Sequence, residues 1–220
     1  ELSRLHTISG EALLSARLPE GEPVPEEAPA LRPWPRCREG IVIPSDVSYA
    51  AMGGVMPLAC RGGTRAAGRV VSLDYLWNAV RVQGGAYGVG LVLWDKGLAG
   101  FYSYRDPSAG RTLDCYRASS DFLRSVGNMD MTGMIIGAVA DDDRLLTPRL
   151  RGKTADLYHW RGMTFGDLCR LRREMLAAGP EDLAALAGAL DALAEEASVC
   201  VLGPRKQLDA CPGLEEITVL

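Results

Sequence analysis

Apolar residues recur along the chain at spacings that mark short strands and amphipathic helices. Ile41-Val42-Ile43 and Val47-Ser48-Tyr49-Ala50 carry the β-branched and aromatic bias of strands, and a glycine-rich loop is expected from Gly53-Gly54 to Gly62-Gly63. Val70, Leu73, Trp77 and Val80 fall on one stripe of a helix that runs to about Val82, where Gly84-Gly85 ends it. Residues 87–94 and 98–104 flank Asp95-Lys96-Gly97, which predicts a β-hairpin. Cys115, Phe122 and Val126 then mark one helix, and Met134, Ile135, Ala138 and Val139 another. Thr164 and Asp167 form a capping-box pattern ahead of Leu168, Leu171 and Met175. Pro180 suits a first helical position, followed by Leu183, Leu186, Leu190 and Leu193 on one face. Residues 198–202 predict a short buried strand.

This order of strand, helix, hairpin, helices and strand predicts an α+β fold, with helices packed on one face of a mostly antiparallel sheet. It lacks the βαβαβ alternation of a doubly wound sheet. Residues 1–38 stand apart: a weakly amphipathic start (Leu2, Leu5, Leu13, Leu14, Leu18) gives way to six prolines between Pro19 and Pro35, interleaved with glutamates. Missing N–H donors exclude a regular helix or central strand there. The division is therefore an N-terminal helix and Pro/Glu-rich connector over 1–38 and one α+β domain over 39–220. The sequence does not start with Met, and more chain is expected upstream.

Composition narrows the chemistry. The 220 residues are 47% hydrophobic and 24% charged, with a mean hydropathy of +0.01. A net charge of −4 gives no electrostatic footprint for nucleic acid or an anionic membrane, so neither is expected as a partner. Six cysteines without a C-x-x-C pair read as free, mostly buried thiols. With no secretory pattern, they suggest a bacterial cytoplasmic setting. The two histidines, His6 and His159, sit in neither H-E-x-x-H nor H-x-x-E-H, and no metal site is expected in this chain. His159 reads as a packed or surface residue of a helix, and Asp141-Asp142-Asp143 as a solvated helix end. The glycine runs lack a G-K-[ST] ending, and no G-x-S-x-G elbow is present.

One segment differs. In residues 81–88, Arg-Val-Gln-Gly-Gly-Ala-Tyr-Gly, an arginine ends a helix, a double glycine turns the backbone, and a tyrosine opens a strand six residues on. Such a pair can aim a fixed cation and a neutral phenolic O–H at one oxyanion or peptide carbonyl. Spacing alone leaves a helix-capping arginine and a half-buried strand tyrosine as the other reading.

The run Asp-Tyr-Leu-Trp-Asn-Ala-Val-Arg-Val-Gln-Gly-Gly-Ala-Tyr-Gly at 74–88, Phe-Tyr-Ser-Tyr-Arg-Asp-Pro at 101–107 and Ile-Ile-Gly at 135–137 resemble the C-terminal part of presequence-protease-like zinc peptidases. These belong to the insulinase and pitrilysin family, the inverzincins, and the resemblance covers roughly residues 38–203. It implies a metallopeptidase-like domain of the LuxS/insulinase type, the last of four homologous domains closing around a chamber. It implies that Arg81 and Tyr87 are catalytic, binding the substrate carbonyl and steadying the tetrahedral intermediate, with Gly84 and Gly85 completing the substrate-binding segment. Zinc is then the cofactor of the whole enzyme, held in an N-terminal half that this chain lacks. The implied partners are that half and a peptide substrate, and the chain alone is expected to be inactive. A metal-free partner subunit and a peptide-binding module without chemistry remain the alternatives.

Overall fold

The computed structural model describes residues 36–94 and 97–219, so the expected N-terminal helix and most of the connector lie outside the described residues. Six strands form one mixed sheet: β1 (Arg38–Val42), β2 (Ser48–Val55), β3 (Gly88–Leu93), β4 (Leu98–Asp106), β5 (Ser198–Gly203) and β6 (Glu216–Val219). Their spatial order is β3-β4-β2-β5-β1-β6. The pairings β3/β4, β4/β2 and β2/β5 are antiparallel, whereas β5/β1 and β1/β6 are parallel. The sheet is thus mostly antiparallel, as the sequence predicts.

Helices follow as α1 (Gly62–Arg69), a π-helical continuation over Val70–Val82, α2 (Ala109–Arg117), α3 (Ser119–Ser125), α4 (Thr132–Asp142), α5 (Pro148–Trp160), α6 (Phe165–Leu176), α7 (Pro180–Glu196) and the short α8 (Arg205–Asp209). Alternation along the strands sets the core: Ala50 and Met52 of β2, Ala99 and Phe101 of β4, and Val199 and Val201 of β5 point into it. Phe101 stacks on Tyr116 of α2 with ring centroids 4.9 Å apart. Burial holds the Tyr116 phenol far above its ordinary range. Leu183, Leu186, Leu190 and Leu193 of α7 are all buried, as their spacing predicts.

Several expectations change. Gly53 and Gly54 lie within β2, and Gly62 and Gly63 open α1, so no continuous glycine-rich loop exists. Gly62 and Gly63 serve close approach instead: a Cβ would fall 2.2 Å from the Leu171 carbonyl oxygen or 2.0 Å from a carboxylate oxygen of Asp182. Cys115 and Phe122 sit on two helices, α2 and α3, separated at Ala118, and Val126 follows the end of α3. Asp141, Asp142 and Asp143 do more than solvate a helix end. The turn between successive residues sends them in three directions, to Arg69, Arg65 and Arg172, tying α4 to α1 and α6. All six cysteines are free, but only Cys60 and Cys211 are fully buried, the other four being half-buried.

Candidate functional site

The site begins in the helix after α1. Over Val70–Val82 the chain winds in wide π turns, with the Gln83 N–H donating to the Asn78 carbonyl at 3.0 Å, an i→i+5 bond. The wider winding changes which residues face the core. Val71, Leu76 and Val80 are buried, while Leu73 and Trp77, placed on the core stripe by the sequence, face outward. Tyr75 turns inward onto Phe122 with 4.8 Å between rings, and burial first, then neighbouring Cys115, push its phenol up to about 12. Trp77 and Arg81, four residues apart, therefore share the exposed side. The Arg81 guanidinium carbon lies 4.1 Å from the Trp77 ring centroid.

Gly84 and Gly85 then reverse the chain. Gly85 adopts φ +80°, and a Cβ on Gly84 would sit 2.4 Å from the Val80 carbonyl oxygen, so both positions need glycine for the turn itself. The Gly85 N–H donates to Arg81 O at 3.0 Å and the Ala86 N–H to Val80 O at 3.2 Å, closing the helix end. The next residue is Tyr87. Its N–H is shared between the carbonyls of Tyr104 (3.1 Å) and Arg105 (3.3 Å), where Arg105 holds a left-handed φ of 51°.

The turn brings Arg81 and Tyr87 together, with the guanidinium carbon 5.6 Å from the Tyr87 ring centroid. Arg81 is thus flanked by Trp77 and Tyr87 while standing in the last turn of its helix. Tyr87 is 62% exposed rather than half-buried. Among the described residues Arg81 makes no ion pair, and neither its N–H groups nor the Tyr87 hydroxyl make a hydrogen bond. A charged donor and a neutral donor are both unspent at the surface.

Sequence reasoning missed Trp77, Tyr104 and Tyr49. Tyr104 packs edge-on against Tyr87 at 5.7 Å and against Tyr49 at 5.5 Å, an aromatic ladder across β4 and β2. The Trp77/Arg81 spacing of four and the Tyr102/Tyr104 spacing of two were the available signals.

The described residues do not fit zinc. No group of three or more His, Cys, Asp or Glu that could hold a metal occurs among them, and His159 lies exposed on α5. Nor is any described helix long and apolar enough to cross a membrane.

Comparison with known proteins agrees with this architecture. A family model described as the PreP C-terminal domain matches residues 38–203. Protein HypA of Clostridium perfringens (strain 13 / Type A) is 33% identical over 175 residues, which cover 77% of this chain and 18% of that protein. Presequence protease 1, chloroplastic/mitochondrial, of Arabidopsis thaliana is 33% identical over 183 residues, covering 80% of this chain and 17% of the relative. The chain therefore spans less than a fifth of the length of these relatives. Among solved structures, a peptidase M16 inactive domain from Pseudomonas fluorescens superposes with a TM-score of 0.63 at 16% identity, covering 91% of this chain and 51% of the other. Pitrilysin gives 0.56 at 13% identity, covering 84% and 22%. At those identities the structural likeness speaks for the fold. With a 38–203 match, the chain belongs to the PreP C-terminal domain family, a presequence-protease-like C-terminal domain of the insulinase type.

Proposed function

We propose that this domain is the last, metal-free part of a zinc-dependent endopeptidase that degrades peptides. In this reading Arg81 and Tyr87 bind the substrate and stabilise the tetrahedral intermediate. The observation that carries it is the pair itself: a guanidinium held against Trp77 at 4.1 Å beside an exposed phenol, with donors unspent on both. Contact with the Trp77 ring restrains the guanidinium while leaving its N–H groups without a hydrogen-bond partner among the described residues. Both groups can donate to a carbonyl oxygen as negative charge develops on it, which stabilises the transition state more than the bound ground state. Gly84 and Gly85 set the six-residue reach between the two side chains.

In this reading the zinc ion is held by an N-terminal half of the same enzyme. Peptides are the substrate, and neither nucleic acid nor membrane is a partner. The test is complementation. The purified 220-residue chain should cleave no peptide, and adding the zinc-bearing half should produce cleavage that a chelator abolishes. Chelator-sensitive turnover by this chain alone would refute the proposal. Full turnover by the other half without this chain would leave it a binding module or a dispensable subunit.

A further inference from the structure

The sheet face opposite the buried core residues, together with the turn between α5 and α6, holds a cavity of about 730 Å³, within the usual range for ligand pockets. Its floor is an unusual feature of a sheet face. Gly53 of β2 and Gly100 of β4 are paired directly, so two facing positions carry no side chain and the Trp94 ring can lie close over the sheet. Trp94, Leu98 and Tyr102 wall it, and Arg161 and Met163, from the turn between α5 and α6, close another side. The Trp94 ring lies so near that a Cβ on Gly100 would come within 3.2 Å of it, and one on Gly53 would meet the Ala99 carbonyl oxygen at 2.7 Å. Trp94 and Tyr102 are each 45% exposed, a large apolar surface to leave open.

Tyr102, which lines the cavity, relates it to the site already described. Tyr102 and Tyr104 are alternate residues of β4 and share the open face, about 7 Å apart along the strand. Tyr104 in turn contacts Tyr87. An extended peptide repeats its side chains on one face at the same interval. We propose that this pocket takes one large apolar side chain, of leucine or phenylalanine size, from an extended peptide whose backbone carbonyl reaches Arg81 and Tyr87. The inference rests on the peptidase reading above and adds a substrate preference to it: a large apolar residue about two or three positions from the bond whose carbonyl the pair holds.

The test is a binding measurement, so it fails or holds independently of any turnover. The isotope-labelled 220-residue chain is titrated with two probe peptides, acetyl-Gly-Ser-Gly-Phe-Gly-Ser-amide and the same sequence with alanine for phenylalanine. The phenylalanine probe should bind at least tenfold more tightly, since the ring buries far more apolar area than a methyl group. Shifts should concentrate on the Trp94 indole and the amides of Gly53, Gly100 and Met163. Gly100→Val, which displaces the Trp94 ring from its place over the sheet, and Leu98→Asp, which alters an exposed wall without touching the core, should each weaken binding at least tenfold. Equal affinity for the two probes, or shifts centred elsewhere, would overturn the proposal. So would movement of the same resonances on simple dilution of the protein, which would mean a second copy fills the pocket. Loss of probe access to Trp94 once the zinc-bearing half is added would overturn it too, because another domain would then cover this face.

Discussion

Replacing the two glycines of the turn between Arg81 and Tyr87 with alanine separates two physical demands made on adjacent residues. Gly85 has φ +80°, but the nearest atom to an added Cβ, Pro107 Cγ, is 3.4 Å away, an ordinary contact. Gly85→Ala thus meets only the cost of a left-handed backbone for a residue with a Cβ, about 1–2 kcal/mol. For a domain of this size that lowers Tm by about 2–8 °C. Asparagine tolerates this region better, so Gly85→Asn should lose less than Gly85→Ala. Gly84 is different, because its Cβ would stand 2.4 Å from the Val80 carbonyl oxygen. The helix end must shift, at an overpacking cost of about 1–3 kcal/mol, and Arg81 shifts with it. Thermal and urea unfolding measure the stability change, and the chemical shifts of the Arg81 Nε–H and the Tyr87 ring report the local geometry. Gly85→Ala should lower stability while leaving those shifts nearly in place, whereas Gly84→Ala should move them. Two neutral substitutions, or equal losses for Gly85→Asn and Gly85→Ala, would refute the account of the turn.

At the start of α6 the Thr164 hydroxyl and amide, with the Arg170 guanidinium, hold the Asp167 carboxyl down at about 2. Because the folded value lies below the ordinary 3.8, this contribution to stability is complete above about pH 4 and is lost as pH falls towards 2. Thr164→Val should return the carboxyl towards its ordinary range in a side-chain NMR titration, and an unchanged titration would contradict the capping box. Burial, followed by the nearby Glu39 carboxylate, pushes the Cys200 thiol up to about 11. At pH 7.5 iodoacetamide should therefore label Cys200 much more slowly than an unstructured cysteine peptide, as read by mass spectrometry, and equal rates would contradict that environment.

Legibility from sequence followed how directly each feature depends on local residues. The α7 stripe, opened by Pro180 and Asp182, depends on nothing beyond its own turns, and the β3/β4 hairpin is bounded by Gly97 at φ +76°. The π winding was hidden because an α-helical stripe through Val70, Leu73, Trp77 and Val80 fits the same residues. Only the i→i+5 bonds, set by packing of Val71, Leu76 and Tyr75, turn Leu73 and Trp77 outward. The Asp141–Asp143 fan needed the positions of α1 and α6, which no local pattern supplies. Arg81 and Tyr87 were visible as a spacing, while the contact of Arg81 with Trp77 depended on that same hidden winding. The pocket was least legible, because Gly53 and Gly100 lie 47 residues apart in sequence and meet only through the β2/β4 register. Residues 198–202 were read correctly as a strand, yet the parallel pairing of β5 with β1 joins distant parts of the chain.

The central proposal, that Arg81 and Tyr87 act on the substrate carbonyl, is tested most directly by steady-state kinetics of Tyr87→Phe in the proposed enzyme, with this domain joined to the zinc-bearing half that the proposal requires. Phenylalanine keeps the ring packed on Tyr104 and beside Arg81 and removes only the donor, so folding and stacking serve as internal controls. Loss of one such donor is expected to lower kcat by about 10²–10³-fold, with KM changed only a few-fold. An unchanged kcat, or a loss confined to KM, would contradict the account.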